Sequence, residues 1–472
     1  MRIDPARLEA TVREVLARLN AAAAVTGDGG GTGQVTGDGV FADMDSAISA
    51  ACAAQREYLG RSMADRRRYV AAIREAMLDP ENLDYMATQA VAETGMGDVS
   101  HKYLKNKVAA ELTPGVEDLV TDAWSGDDGL TTVEYSPYGV IGAITPTTNP
   151  TETITCNSIG MLAAGNAVVF SPHPRAKALS VWQVKTLNRA LRGVGAPENL
   201  IVTVAEPSLA NTNAMMSDPR VVMLVATGGP GIVKAVLSSG KKAIGAGAGN
   251  PPVVVDTTAD IEYAAKCIVD GASFDNNLPC TSEKEIVAVD AIADLLKFCL
   301  VKNGAYEVGG EQLKALEQLV LAENGPKTEW VGKPAARLLE AIGVEPPPGV
   351  RLIVCEAAAT HPFVQHELMM PVIGMVRVPD VDAAIDLAIE LEHGNRHTAI
   401  MHSRDVKKLT KMGKLIQTTI FVKNGPSFAG LGIGGEGYST FTIAGPTGEG
   451  LTSACSFARR RRCALVGDLN VR

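Results

Sequence analysis

From Thr132 onward, short β-branched apolar runs at 140–144, 167–170, 200–204 and 221–225 alternate with segments of helical or irregular pattern. Runs that are apolar on both faces read as buried strands. Their alternation with helices predicts an α/β fold with a largely parallel sheet covered by helices on both sides. Pro251-Pro252 then introduces Val253-Val254-Val255, and a second α/β region extends to about residue 425, with another apolar run at 286–289. Upstream, 43–56 and 64–77 read as helices, the second opening on Asp65-Arg66-Arg67-Arg68. At the N-terminus Leu8, Val12, Val15, Leu16 and Leu19 recur at helical spacing, and Arg7, Glu9, Arg13, Glu14 and Arg18 occupy other faces, which predicts an amphipathic helix over 1–20. The stretch 21–40 is mostly Ala, Gly, Thr and Asp and cannot bury enough apolar surface to order itself, so it reads as a flexible linker. A short amphipathic helix on a tether is marginal alone in water and is expected to dock, on this protein's own body or in a partner's groove.

Composition narrows the function classes. A chain of 472 residues has room for two or three domains. With 46% hydrophobic residues it still holds no apolar run long and charge-free enough to span a bilayer, and its charged start resembles no secretory signal. Eight cysteines are scattered singly, which argues against a disulfide framework or zinc site and fits a reducing cytoplasm. The net charge of −9 argues against a nucleic-acid partner. Arg459, Arg460, Arg461 and Arg462 form the one basic run, read as a solvated or subunit-facing surface.

Four segments carry candidate chemistry. Ala226-Thr227-Gly228-Gly229-Pro230-Gly231 follows a strand and precedes an apolar helical segment, where glycines and free N–H groups can receive a phosphate; a plain turn fits as well. Ile244-Gly245-Ala246-Gly247-Ala248-Gly249-Asn250 has glycine at every second position, as a close approach to a ligand requires, or a tight domain crossover. Thr145-Pro146-Thr147-Thr148-Asn149-Pro150 ends a strand, and Asn149 there is a turn residue or an amide donor to an oxyanion. Finally, Cys280 stands in Asp275-Asn276-Asn277-Leu278-Pro279-Cys280-Thr281-Ser282-Glu283-Lys284. This polar setting differs from the apolar helical patterns around Cys52, Cys267 and Cys299 and suits a nucleophile. His361, His366, Glu367, His393 and His397 match no metal-ligand spacing, so no metal is expected.

Taken together, TPTTNPTET at 145–153, ATGGPGIVKA at 226–235, IGAGAGNPPVVVD at 244–256, DNNLPCTSEKE at 275–285, ELMMPV at 367–372, HTAIMHS at 397–403 and GLGIGGEG at 430–437 resemble the aldehyde dehydrogenase superfamily. The resemblance is strongest to the CoA-acylating aldehyde dehydrogenases of ethanolamine- and propanediol-utilisation microcompartments and covers about residues 41 to 466. It implies an aldehyde dehydrogenase-like fold: a Rossmann-type NAD-binding domain over 41–118 and 137–250, a catalytic domain over 251–436, and oligomerisation segments at 119–136 and 445–472. By position it makes Cys280 the nucleophile and Asn149 the oxyanion amide, with Glu367 on the nicotinamide ribose. Thr227, Gly228, Gly229 and Gly231 face the pyrophosphate, and Gly245, Gly247, Pro146, Thr147, Ser171 and His173 border the cofactor. The implied partners are NAD, coenzyme A and a short-chain aldehyde. A homodimer or homotetramer, and packaging through residues 1–20 with the shell proteins or lumen enzymes of a bacterial microcompartment, complete the expectation.

Two departures bear on the reaction. Hydrolytic members carry a water-activating glutamate whose place, aligned on Pro251, falls on Gly245, and no carboxylate lies between Lys242 and Asp256. The acyl group is therefore expected to pass to CoA rather than to water. Ser171-Pro172-His173-Pro174 stands where a lysine commonly meets the adenosine ribose, which leaves NAD against NADP open with NAD favoured. A hydrolytic dehydrogenase, a non-catalytic microcompartment scaffold component and a redox-free cysteine acyltransferase are the competing readings.

Overall fold

The computed structural model describes residues 37–323 and 325–471. The helix expected over 1–20 and most of the linker expected over 21–40 lie outside the described residues. The end of that stretch differs from a flexible tether. Val40 is buried, its N–H donates to Gly37 O at 3.2 Å, and Asp38 pairs with Arg192 at 2.7 Å. An apolar residue at the edge of a sheet is worth more buried than solvated, so the folded body begins before residue 40.

We number the strands of the two large sheets in chain order. The first holds β1 (Val40–Phe41), β2 (Val140–Thr145), β3 (Ala167–Pro172), β4 (Ile201–Val204), β5 (Val221–Thr227) and β6 (Lys242–Ala246), in the order β1-β4-β3-β2-β5-β6. Every pairing is parallel. The second holds β7 (Pro252–Val255), β8 (Glu285–Val289), β9 (Ala305–Glu307), β10 (Leu352–Glu356), β11 (Val372–Val378), β12 (Thr398–His402) and β13 (Ile420–Lys423), in the order β9-β10-β11-β8-β7-β12-β13. It too is parallel throughout. The continuous apolar runs of the sequence are thus the strands buried on both faces that the pattern predicts. In the first sheet the order turns back at β2, whose neighbours β3 and β5 lead away in opposite directions. The loops leaving the carboxyl ends of these three strands lie along one edge, the usual ligand edge of an open parallel sheet.

Helices α1 (Met44–Tyr58), α2 (Met63–Leu78), α3 (Pro80–Thr94) and α4 (Val99–Leu112) precede β2. Each starts on a side-chain cap: Asp43, Ser62 with Asp65 in a reciprocal capping box, Asp79 and Asp98. The second therefore starts one residue ahead of the sequence expectation, with Asp65-Arg66-Arg67-Arg68 inside its first turns. Helix α5 (Pro150–Ala163) is buried along its whole length, although half of its first turns are polar. Several of its polar groups are matched locally, while Asn157 Nδ2 and Ser158 Oγ are buried without a hydrogen-bond partner among the described residues. Gln183 donates to Thr151 O at 3.0 Å and Thr155 Oγ1 at 2.9 Å, and Thr442 donates to Asn157 Oδ1 at 3.2 Å. Such pairing is what makes polar burial tolerable.

The segments expected to mediate oligomerisation meet in a third, antiparallel sheet, Asp122–Gly126, Gly129–Pro137 and Ala458–Val466. The four arginines lie exposed on its last strand. Arg460 pairs with Asp122 at 2.5 Å, and the Arg459 guanidinium sits 4.5 Å from the Tyr138 ring centre. Phe457, just before this strand, is buried in the core of the first sheet, where a Cβ on Gly160 of α5 would lie 2.9 Å from its ring. Phe457→Ala should destabilise the protein by about 3–5 kcal/mol, read as an earlier denaturant midpoint.

Candidate active site

The site is built where the two sheets are joined. After α6 (Ile261–Ser273) the chain enters a run of three non-glycine residues at positive φ: Asp275 at 49°, Asn276 at 53° and Asn277 at 64°. Left-handed backbone costs an L-residue about 1–2 kcal/mol, so the run needs compensation. Its side chains supply it. Asp275 accepts from Asp98 N–H at 2.8 Å and from Lys102 and Lys105. Asn276 donates to Gly97 O and Gly332 O at 3.1 and 2.9 Å, and Asn277 to Ala272 O and Glu283 O at 2.8 and 3.0 Å. Leu278-Pro279-Cys280 follows, closed by Ser282 N–H donating to Pro279 O at 3.0 Å, and the chain enters β8.

Cys280 is half-buried. Burial pushes its thiol up to about 12, the carboxylate of Glu367 adds to the rise, and the ammonium of Lys284 opposes it. Lys284 is itself fixed, donating to Asn277 O at 2.9 Å and Asn277 Oδ1 at 2.7 Å. Burial lowers Lys284 and raises Glu367, whose carboxylate accepts from the Gly249 N–H. A Cβ on Gly249 would lie 2.7 Å from Cys280 O and 3.0 Å from His397 Cγ, so only glycine lets these segments meet. His397 is buried, its Nδ1 meets Thr398 Oγ1 at 2.9 Å, and burial brings it down to about 4, which keeps the ring neutral.

Asn149 caps α5, with Pro150 at the first helical position. Its side chain is 6% exposed. Oδ1 accepts from Lys105 Nζ at 2.5 Å, and Nδ2 reaches the neighbouring Thr148 Oγ1 at 3.3 Å. Lys102 and Lys105 are buried on one face of α4. With Asp275 and Glu152 they form a cluster: Lys102–Asp275 at 3.2 Å, Lys105–Asp275 at 2.5 Å and Lys105–Glu152 at 3.1 Å. Lys102 also donates to Thr148 O at 3.0 Å. Burial works against the charges of Asp275 and Lys105, but their mutual attraction outweighs it, lowering the acid and raising the base. For Lys102 burial prevails and lowers it.

The residues expected to border the cofactor gather at the carboxyl edge of the first sheet. Pro146 and Thr147 follow β2. Ser171 is the penultimate residue of β3, its hydroxyl 2.8 Å from that of Thr212, and His173 follows the strand with its Nδ1 accepting from Arg175 N–H at 3.1 Å. Thr227 ends β5, paired with Thr442 at 2.9 Å, and Gly228 N–H donates to Ala246 O at 3.1 Å. Gly229 caps the helix Pro230–Leu237 and Gly231 lies in its first turn. Added Cβ atoms at Gly229, Gly231 and Gly247 would meet nothing within 4 Å, so this helix start is open to an incoming group, as a pyrophosphate needs. Gly245 is different: a Cβ there would strike Val233 Cγ1 at 2.8 Å, so its bareness serves the packing of helix on strand. Sequence reasoning named neither Gly249 nor the lysines Lys102 and Lys105 as site residues. The lysines share a buried helical stripe with Asn106 and Ala109, which nothing in the local sequence marks as interior.

The aldehyde dehydrogenase family pattern matches residues 32–313. The propanal dehydrogenase (CoA-propanoylating) of Citrobacter freundii is 46% identical over 472 residues, covering all of both chains. The chain belongs to the aldehyde dehydrogenase family. Within that family the fold is similar to the Rhodopseudomonas palustris propionaldehyde dehydrogenase solved with propionyl-CoA, at 66% identity and a TM-score of 0.91 over 92% of this chain and 97% of that one. It is likewise similar to the propionaldehyde dehydrogenase from the Clostridium phytofermentans fucose utilisation bacterial microcompartment, at 52% identity and a TM-score of 0.90 over 92% and 100%.

Because the thiolate is the reactive form, the charges around Cys280 set its alkylation rate. Glu367→Gln removes a charge that disfavours the thiolate and should speed alkylation by iodoacetamide at pH 8. Lys284→Met removes one that favours it and should slow alkylation, each pKa unit amounting to about tenfold.

Proposed function

We propose that this dehydrogenase oxidises a short-chain aldehyde, propionaldehyde or acetaldehyde, to the corresponding acyl-CoA with reduction of NAD+. The observation that carries the proposal is Cys280 set against Gly249 in a glycine-rich junction whose position 245 is a glycine packed on Val233 rather than a carboxylate. The full-length similarity to a CoA-propanoylating relative supports it.

In this reading Cys280 reacts as its thiolate, the thiol proton having passed to solvent, and the sulfur attacks the aldehyde carbon, forming a C–S bond and an alkoxide. The Nδ2–H of Asn149 and the backbone N–H of Cys280 donate to that oxygen. The helix start at Gly229 and Gly231, together with Pro146, Thr147, Ser171, His173 and Glu367, would hold NAD+, which would supply the hydride acceptor needed for the alkoxide carbon to return to a carbonyl. The acyl group is then on Cys280. Water lacks an activating base at position 245, and its attack is slow. The CoA thiol is more acidic than water and attacks in its place, its proton received by the neutral His397 ring, and Cys280 leaves as the thiolate. One methylene separates the candidate aldehydes, a difference worth about 1–3 kcal/mol to a pocket.

The exposed strand Ala458–Val466, with Leu465 and Val466 turned to solvent, suits a dimer or tetramer contact. Residues 1–20 suit packaging within a microcompartment shell, in line with the origin of the Clostridium phytofermentans relative.

Absorbance at 340 nm should rise only when aldehyde, CoA and NAD+ are all present, with free acid a minor product at saturating CoA. Cys280→Ala should abolish that rise while NAD+ binding, followed by fluorescence, persists. Retained turnover would overturn the nucleophile, and dominant acid would overturn the CoA step. A fluorescent protein carrying residues 1–20 should form foci in shell-forming cells, and diffuse signal would remove the packaging role.

A further inference from the structure

The strongest unexplained feature of the site is the buried charge cluster behind Asn149. We propose that Lys105 is a positioning residue for the reaction at Cys280, fixing which end of the Asn149 amide faces the reacting carbonyl. The inference rests on the reading of Asn149 as an oxyanion donor.

A carboxamide has a donor end and an acceptor end, and a half-turn about its last bond exchanges them. The wrong end would set an oxygen lone pair against the developing alkoxide. An ammonium only donates, so the amide atom facing Lys105 Nζ at 2.5 Å is the oxygen. The NH2 end is thereby turned away from the lysine, where its recorded bond is the long one, 3.3 Å to Thr148 Oγ1. That bond is weak enough to yield to an anion. A cation on Oδ1 also draws density from the amide and makes its N–H groups stronger donors.

The same ammonium holds the other partner of the reaction. Asp275, which it meets at 2.5 Å, begins the left-handed run that leads to Cys280. Lys102, on the same face of α4, repeats the arrangement, bridging Thr148 O at 3.0 Å and Asp275 at 3.2 Å. Oxyanion donor and nucleophile loop are thus referenced to one helix face, and an error of about 1 Å between such groups is enough to cost about 10²-fold in rate. The cluster carries two cations and two anions, since Glu152 at 3.1 Å from Lys105 balances it. The charge is therefore not there to make the site positive. Its effect is directional.

A double-mutant cycle on the full-length enzyme tests this, with Lys105→Met, Asn149→Ala and the double variant compared by kcat for NADH formation and by NAD+ affinity. Asn149→Ala should lower kcat by about 10²–10³-fold. Lys105→Met should lower it by about tenfold or more with NAD+ affinity unchanged, yet should add clearly less in the Asn149→Ala background, where only its hold on the Asp275 loop is left to lose, because an amide that is absent cannot be misplaced. The same loss in both backgrounds, or no loss from Lys105→Met, overturns the inference. Full activity in Asn149→Ala would instead sink the oxyanion reading beneath it. Should Lys105→Met leave the buried carboxylates unbalanced and fail to fold, Lys105→Met combined with Glu152→Gln keeps one cation against one anion. It is put through the same cycle against Glu152→Gln alone, with the same criteria.

Discussion

Burying four charges in one place without leaving any of them alone is the constraint on which the site turns. Lys102, Lys105, Asp275 and Glu152 come from α4, the nucleophile loop and α5. Any one of them removed from its partners would be an unpaired ion in a desolvated interior, a penalty of several kcal/mol. The three segments can therefore settle only together, and when they do, the turn that carries Asn149 and the loop that carries Cys280 are placed as a unit. The arrangement is a costly way to gain stability but a specific way to fix a register between segments distant in the chain.

The loop itself stores strain that the cluster offsets. Three consecutive residues at positive φ cost about 1–2 kcal/mol each. Against that stand the bonds of Asp275, Asn276 and Asn277, each worth about 0.5–1.5 kcal/mol net, with those to charged groups stronger. Asn and Asp are the residue types that tolerate this region and can bond their surroundings from it. The choice of Asp275-Asn276-Asn277 thus serves conformation and bonding at once. Lys284 ties the far end of the loop back onto Asn277 and leaves its charge near Cys280.

The glycine-rich stretch between the sheets divides into different uses. Gly245 lets a helix lie on its strand, Gly247 borders open space, and Gly249 lets the Cys280 carbonyl and the His397 ring approach one backbone. A single repeating pattern in sequence is therefore three separate steric requirements in space. In the proposed reaction the glycine at 245 matters chemically as well, because no base stands there to bring water to the acyl group.

Much of the architecture was legible from sequence. The apolar runs at 140–144, 167–170, 200–204 and 221–225 are strands because a segment apolar on every side must be covered on every side, and the prolines and glycines after them marked the edge where ligands approach. Cys280 and Asn149 were legible as candidates from local chemistry and family pattern. Lys102 and Lys105 were not, since a lysine pair on a helix ordinarily means a solvated face, and only the packing of α4 against α5 and the nucleophile loop puts them in the interior. The sequence by itself determined the elements, their order and the reacting groups, because these depend on local pattern and side-chain chemistry. Which end of the Asn149 amide meets Lys105, and how acidic the Cys280 thiol is, were decided only by tertiary structure, because electrostatics in a desolvated site depend on distances between residues far apart in the chain.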